Sequence, residues 1–137
     1  MDTKRLTIPL ILTSFLLSCA TSPAKKSNEE VLFYNYSLAV CLGSAFEDKI
    51  VKSDFNKSAN GYMERGNMPI ESYEELRASV NRWLEKDYPS KNGGQVNSAK
   101  CFDFNKSKEL FDVFKRYDPC KSKDNWLDKN QYTQQCL

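Results

Sequence analysis

The chain has 137 residues, 40% of them hydrophobic and 28% charged, enough for one domain and too few for two. With 20 basic and 18 acidic residues the net charge is +2, too balanced for a protein built mainly to grip nucleic acid. There is no histidine, which excludes Ser–His and Cys–His nucleophile pairs and imidazole zinc ligands; neither a metal nor a cofactor is expected, and the chain points away from catalysis.

Residues 1–18 read as a secretory signal. Lys4 and Arg5 form a basic start, and Leu6 to Leu17 is an apolar run. It is too short for a transmembrane helix, which needs roughly 20 residues. Two processing readings compete. Ser18-Cys19-Ala20 offers a small-x-small site cut after Ala20, whereas Leu16-Leu17-Ser18-Cys19 resembles a bacterial lipobox in which Cys19 becomes the acylated first residue. The chain has 5 cysteines, and removing Cys19 leaves an even set suited to an oxidising compartment, which favours lipidation. Ala20 is not the Asp that retains lipoproteins in the inner membrane, so the expected location is the periplasm, anchored to the outer membrane. Residues 19–26 then form a lipidated tether and 27–137 a single domain.

Ser27 with Glu30 makes a capping box, predicting a helix to about Phe46. Val31, Tyr34, Leu38, Cys41, Leu42 and Ala45 share one stripe, and Leu32, Phe33, Tyr36 and Val40 widen it. A helix apolar around most of its circumference is central or lies at a dimer interface. A weaker helix is expected over Ser53 to Arg65, closed at Gly66. Pro69 suits a first helical turn, and Ile70, Tyr73, Leu76, Val80 and Leu84 form a second stripe ending near Lys86. Pro89, Gly93 and Gly94 make Tyr88 to Gln95 a loop.

Cys101, Phe102 and Phe104 lead to Ser107, a candidate N-cap for a helix carrying Leu110, Phe111, Val113, Phe114 and Tyr117, which Asp118-Pro119 ends. One more short helix is expected around Trp126. No run alternates at period two. The expected fold is all-α, about four to five helices stabilised by disulfides. Asp-Phe-Asn-Lys-Ser occurs at 54–58 and again at 103–107, which suggests two similar helix starts. Cys41 lies on the inward stripe and Cys101 beside Phe102 and Phe104, so the expected pairs are Cys41 with Cys101 and Cys120 with Cys136.

The acidic pairs Glu29-Glu30, Glu47-Asp48 and Glu74-Glu75 point about 100° apart on a helix and read as solvated faces, not as acid/base pairs. Glu64 would be the lone acid of a lytic enzyme, with nothing else to support it. The loop at 88–95 reads equally as a solvent-exposed connection and as an element that enters a partner's cleft.

Several of these pieces together resemble a known family, the periplasmic immunity proteins that neutralise type VI secretion amidase effectors. The resemblance covers about 34–117. It rests on Asn35-Tyr36-Ser37-Leu38 with Cys41, Gly61-Tyr62-Met63-Glu64-Arg65-Gly66, and Glu71 with Tyr73. It continues through Tyr88-Pro89-Ser90-Lys91 with the glycines after it, Lys100-Cys101-Phe102-Asp103, Ser107 with Leu110, and Tyr117. Asn92 separates Lys91 from the glycines, and the tail with Cys120 and Cys136 extends past the match. The resemblance implies a small all-α protein, often a homodimer, that binds a papain-like peptidoglycan amidase and occludes its cleft. Its blocking element would be Tyr88, Ser90, Lys91, Asn92, Gly93 and Gly94, with Glu71 and Tyr73 as flanking contacts from the same or a second subunit. The alternative from another class is a structural or adaptor lipoprotein of the envelope.

Overall fold

The computed structural model describes residues 26–137; the signal segment, Cys19 and all of the tether except Lys26 lie outside them. Six α-helices follow in order: α1 Asn28–Ala45, α2 Lys49–Arg65, α3 Ile70–Leu84, α4 Asn97–Phe104, α5 Lys108–Tyr117 and α6 Lys129–Cys136. Two short 3₁₀ turns, Pro119–Lys121 and Lys123–Asn125, join α5 to α6. The described residues contain no strand, only an isolated antiparallel bridge between Pro89 and Gln95. The all-α expectation holds.

The broad apolar surface of α1 has the consequence expected of it: α1 packs against α2, α3, α4, α5 and α6. Its start is capped by Ser27 Oγ, which accepts from the Glu30 amide at 3.1 Å. Glu30 itself pairs with Lys26 at 3.2 Å, so half of the capping box forms. Phe33, Tyr36, Ala39 and Cys41 enter the core with Leu76 and Val80 of α3, Cys101 and Phe104 of α4, and Leu110, Val113 and Phe114 of α5. A Cβ on Gly43 would sit 3.2 Å from Phe55 Cβ, so glycine there lets α2 lie close against α1.

Cys41–Cys101 ties α1 to α4 across 60 residues, and Cys120–Cys136 closes the tail on itself. Inside that closed tail Trp126 is buried, its indole N–H donating to the Pro119 carbonyl at 2.9 Å and its ring meeting Tyr132 edge-on. The tail docks on the first turn of α1, where Asn28 Nδ2 donates to the Gln134 carbonyl at 3.0 Å.

Several boundaries differ from expectation. α2 starts at Lys49, four residues before Ser53, because the Asp48 carboxylate accepts from both the Ile50 and Val51 amides at 2.9 Å. Pro69 is the N-cap of α3 and lies just outside its first turn. Residues 97–104, read as a lead-in, form a helix of their own, and Trp126 sits between a 3₁₀ turn and α6 without belonging to either. The repeated pentapeptide marks no shared helix start: 54–58 lies inside α2, and 103–107 runs from the end of α4 to the N-cap of α5. Val31, Ile70 and Phe111, placed on apolar stripes, are exposed.

Glu29 also departs from its expectation as a solvated charge. It is fully buried, with its two oxygens accepting from the Asn67 amide at 2.8 Å and Asn67 Nδ2 at 3.0 Å. A buried carboxylate needs such donors to offset its lost hydration. The pair fastens the start of α1 to the linker between α2 and α3.

Candidate functional site

The loop begins where α3 runs out, at the C-cap Glu85. Its base is fixed from both sides. Trp83 Nε1 donates to the Lys100 carbonyl at 3.0 Å, and the buried Lys100 ammonium donates to the Leu84 carbonyl at 3.0 Å. A cation at the carbonyl end of a helix opposes its dipole, so this reciprocal pair both satisfies the end of α3 and locks α4 beside it. The Lys86 ammonium lies 3.0 Å from the centroid of the Trp83 ring, adding a cation–π contact at the same corner.

Above the base, the two arms of the loop are joined by short polar bonds. The Tyr88 amide donates to Gln95 Oε1 at 2.7 Å, the Val96 amide to the Tyr88 carbonyl at 2.9 Å, and Gln95 Nε2 donates to Asp87. At the tip, the Gly93 amide reaches the Ser90 carbonyl at 3.1 Å and the Ser90 amide reaches the Gly94 carbonyl at 2.9 Å. Ser90 Oγ accepts from the Asn92 amide at 3.2 Å, which uses one of its two lone pairs inside the turn and leaves its O–H for a partner. Gly93 and Gly94 have φ of 87° and 76°, a region that L side chains enter only at a cost, and an added Cβ at either would meet no atom within 4 Å. The glycines serve backbone shape here, not packing.

The result is a preorganised projection. Lys91, Asn92, Gly93 and Gly94 are exposed, while Tyr88 and Ser90 are half-buried at its foot and shoulder. Lys91 has no partner among the described residues. The Tyr88 hydroxyl is held above its usual pKa, first by burial and then by the neighbouring Asp103 carboxylate, against a smaller opposing contribution from Trp83. Beside the foot, Asp87, Tyr88, Pro89, Val96 and Ala99 line a recess of about 340 Å³.

The two flanking residues part company. Glu71 is exposed in the first turn of α3, at the end opposite the loop, about 20 Å away along the helix at 1.5 Å per residue. Tyr73 is a core residue, which corrects its reading as a surface contact: it is 5% exposed, with its ring 4.7 Å from Tyr36 and 5.8 Å from Phe33. Its hydroxyl is pushed up to about 12 by burial, then by the charge of Glu29 and the neighbouring Tyr36. The Gly61–Gly66 segment is likewise structural, closing α2 through Arg65 Nε to the Gly61 carbonyl at 2.8 Å and the Gly66 amide to the Met63 carbonyl at 3.2 Å. Sequence reasoning missed Lys100 and Trp83 as the pair that fixes the loop's base; Lys100 lay within a quoted motif, but its aim at the end of α3 is a tertiary fact.

Taken alone, the geometry defines a class: a disulfide-braced helical domain with a stiff polar projection, in which each nucleophile-like cysteine among the described residues is oxidised. The family follows from comparison. The family model described as "Type VI secretion system (T6SS), amidase immunity protein" (Tai4) matches residues 31–114, and the chain belongs to that family. Among solved structures, the effector–immunity system Tae4/Tai4 from Salmonella typhimurium is similar at 30% identity and a TM-score of 0.61, covering 64% of this chain and 87% of that one. The complex of Tae4 from Salmonella typhimurium with Tai4 from Enterobacter cloacae is similar in fold at 22% identity and a TM-score of 0.58, covering 62% of this chain and 88% of that one. No curated protein matches the chain. The family match ends before Cys120, so the disulfide-closed tail lies beyond it.

Proposed function

We propose that this member of the amidase immunity family binds a peptidoglycan amidase effector in the periplasm and inhibits it by seating the Tyr88–Gly94 loop in the catalytic cleft. The observation that carries the reading is the loop's construction: a tip without packing partners, on arms and a base that are held at every level. An element ordered before binding loses little entropy on docking, which leaves more of its contact energy as affinity. The family resemblance implies a papain-like effector with a Cys–His pair in a narrow cleft. Gly93 and Gly94 allow close backbone approach there, and Ser90 and Lys91 offer polar atoms without a leaving group. Inhibition of this kind needs complementarity and no catalytic chemistry from the inhibitor.

Glu71 and its exposed neighbour Ile70 belong to a second contact region. Because the length of α3 separates them from the loop, the contact fits best if a second subunit of a homodimer supplies it. Residues 1–18 act as the signal, Cys19 carries the lipid, 19–26 form the tether, and 27–137 form the domain held at the outer membrane. The decisive experiment replaces Ser90 and Lys91 together by alanine and measures inhibition of the cognate amidase on peptidoglycan. The fold should persist, since Lys91 is exposed and Ser90 loses only one exposed turn bond, about 0.5–1.5 kcal/mol. Binding should weaken by at least about 2 kcal/mol, roughly thirtyfold. Undiminished inhibition at equal concentration would reduce the loop to a connection.

A further inference from the structure

A second recess, about 510 Å³ in volume, lies on another part of the surface, between α1, α2 and α3. Each helix contributes two residues one turn apart: Val40 and Ser44, Asn56 and Asn60, Arg77 and Asn81, with Ala59 buried at its floor. Spacing of four puts both members of each pair on one face, so the convergence is built into the three helices. The lining is unusual for a helical groove because it is mostly polar and carries a single charge, that of Arg77.

Arg77 is held in place: its Nε donates to the Tyr36 hydroxyl at 2.9 Å, and its guanidinium carbon stands 6.0 Å from the Tyr36 ring centroid. Tyr36 is fully buried, so the arginine is anchored on the core and the outer fork of its guanidinium remains for a ligand. Ser44, Asn56, Asn60 and Asn81 make no side-chain hydrogen bond among the described residues. Three amides and a hydroxyl with their donors and acceptors unspent match the repeating N–H and C=O of a peptide. A fixed arginine fork matches a carboxylate.

We propose that this groove binds a short peptide through its free C-terminal carboxylate, with Arg77 on the carboxylate and Asn56, Asn60 and Asn81 on the peptide groups. The proposal is independent of the inhibitory loop. Its test is an NMR titration of the isotope-labelled, disulfide-bonded protein with N-acetyl-Ala-Ala, its C-terminal amide, and acetate. The acetylated dipeptide should give saturable shifts clustered at 40–44, 56–60 and 77–81, with a dissociation constant on the order of 1 mM for a ligand this small. The amide, acetate and Arg77→Gln should each weaken binding roughly tenfold. Asn60→Ala and Asn81→Ala should weaken it roughly threefold with unchanged melting temperatures, and they carry the test if Arg77→Gln disturbs the fold. Shifts that do not saturate or fall elsewhere, an amide that binds as well as the acid, or acetate that binds as well as the dipeptide would each overturn the proposal.

Discussion

Gly94→Ala separates the shape of the proposed inhibitory loop from the packing of the domain core. Gly94 has a φ of 76°, and a Cβ there meets nothing within 4 Å, so the substitution introduces no clash and acts through the backbone alone. Holding an L residue in that region costs about 1–2 kcal/mol. The turn resists with two exposed bonds, Ser90 amide to Gly94 carbonyl and Gly93 amide to Ser90 carbonyl, each contributing about 0.5–1.5 kcal/mol. Strain and restraint are of similar size, so the tip relaxes locally while the core beneath it is untouched. The cost reappears when the effector requires the original shape. Inhibition of peptidoglycan hydrolysis should weaken by about 1–2 kcal/mol, roughly five- to thirtyfold, while the melting temperature falls by several degrees, with the loss of protection confined to the tip. Gly66→Ala is the opposite control. Its backbone is unremarkable at φ −92°, but the new Cβ would lie 3.1 Å from the Tyr73 hydroxyl and 3.5 Å from Glu29 Oε2. It should lower the melting temperature while leaving inhibition intact below it. A Gly94→Ala protein that inhibits as tightly as the parent would refute the preorganisation argument.

Other expectations can be checked directly. Replacing Cys41 and Cys101 by serine opens a loop of 60 residues and should cost about 4 kcal/mol by chain entropy, read from chemical denaturation. Replacing Cys120 and Cys136 should instead loosen the tail, with faster amide exchange confined to 119–137 and little change in the main unfolding transition. Glu75 is held below the ordinary carboxylate range, chiefly by its hydrogen bond to Arg116, so its contribution is present above the unfolded-state pKa and lost as pH falls through the lowered folded value. Glu75→Gln should therefore flatten the acid limb of a melting-temperature profile; an unchanged acid limb would remove Glu75 from the account. Cys19→Ser should release the protein from the membrane fraction or leave the signal uncut, and mass spectrometry finding an unmodified mature N-terminus at Thr21 would refute lipidation.

The parts of the fold that sequence foretold are those whose signals are local. Ser27 and Ser107 cap the helices they precede, through bonds to amides three residues on, and the stripe Leu76–Val80 is buried as its spacing requires. The partnership of Cys41 with Cys101 could be inferred because both sit among residues that must face inward. α4 was hidden because it has no side-chain cap, and its placement depends on distant groups: the disulfide, Trp83 on the Lys100 carbonyl, and Asn97 Nδ2 on the Ala45 carbonyl at 2.9 Å. α2 was blurred because Ala59 is its one buried residue, leaving no stripe to read. Glu29 could not be distinguished from a surface acid, since its donors come from Asn67, 38 residues away. Tyr73 is different: the helical period already grouped it with Leu76 and Val80, and that pattern outweighed its resemblance-based reading as a contact.

The same division between local and distant restraint would let one small chain be both stable and, in the proposed role, specific. The base of the loop is tied into the core through Trp83, whose ring meets Phe104 at 5.4 Å, and through Lys100, next to the disulfide at Cys101. The tip from Lys91 to Gly94 adds no core contact, so its side chains can change with almost no effect on folding. In the proposed role, fit to an effector would be set at the tip while the scaffold keeps its position. The cost is that the tip's shape hangs on two glycines and a few exposed hydrogen bonds, so changes to side-chain chemistry at Lys91 or Asn92 should be tolerated by the fold far better than changes of backbone at Gly93 or Gly94 are tolerated by function. An alanine scan of 89–94 scored separately for melting temperature and inhibition should therefore give a shallow first profile, with decreases of several degrees only at the two glycines, and a second that also peaks at the Ser90–Lys91 step; a coincident pair of profiles would mean that the tip is part of the fold after all.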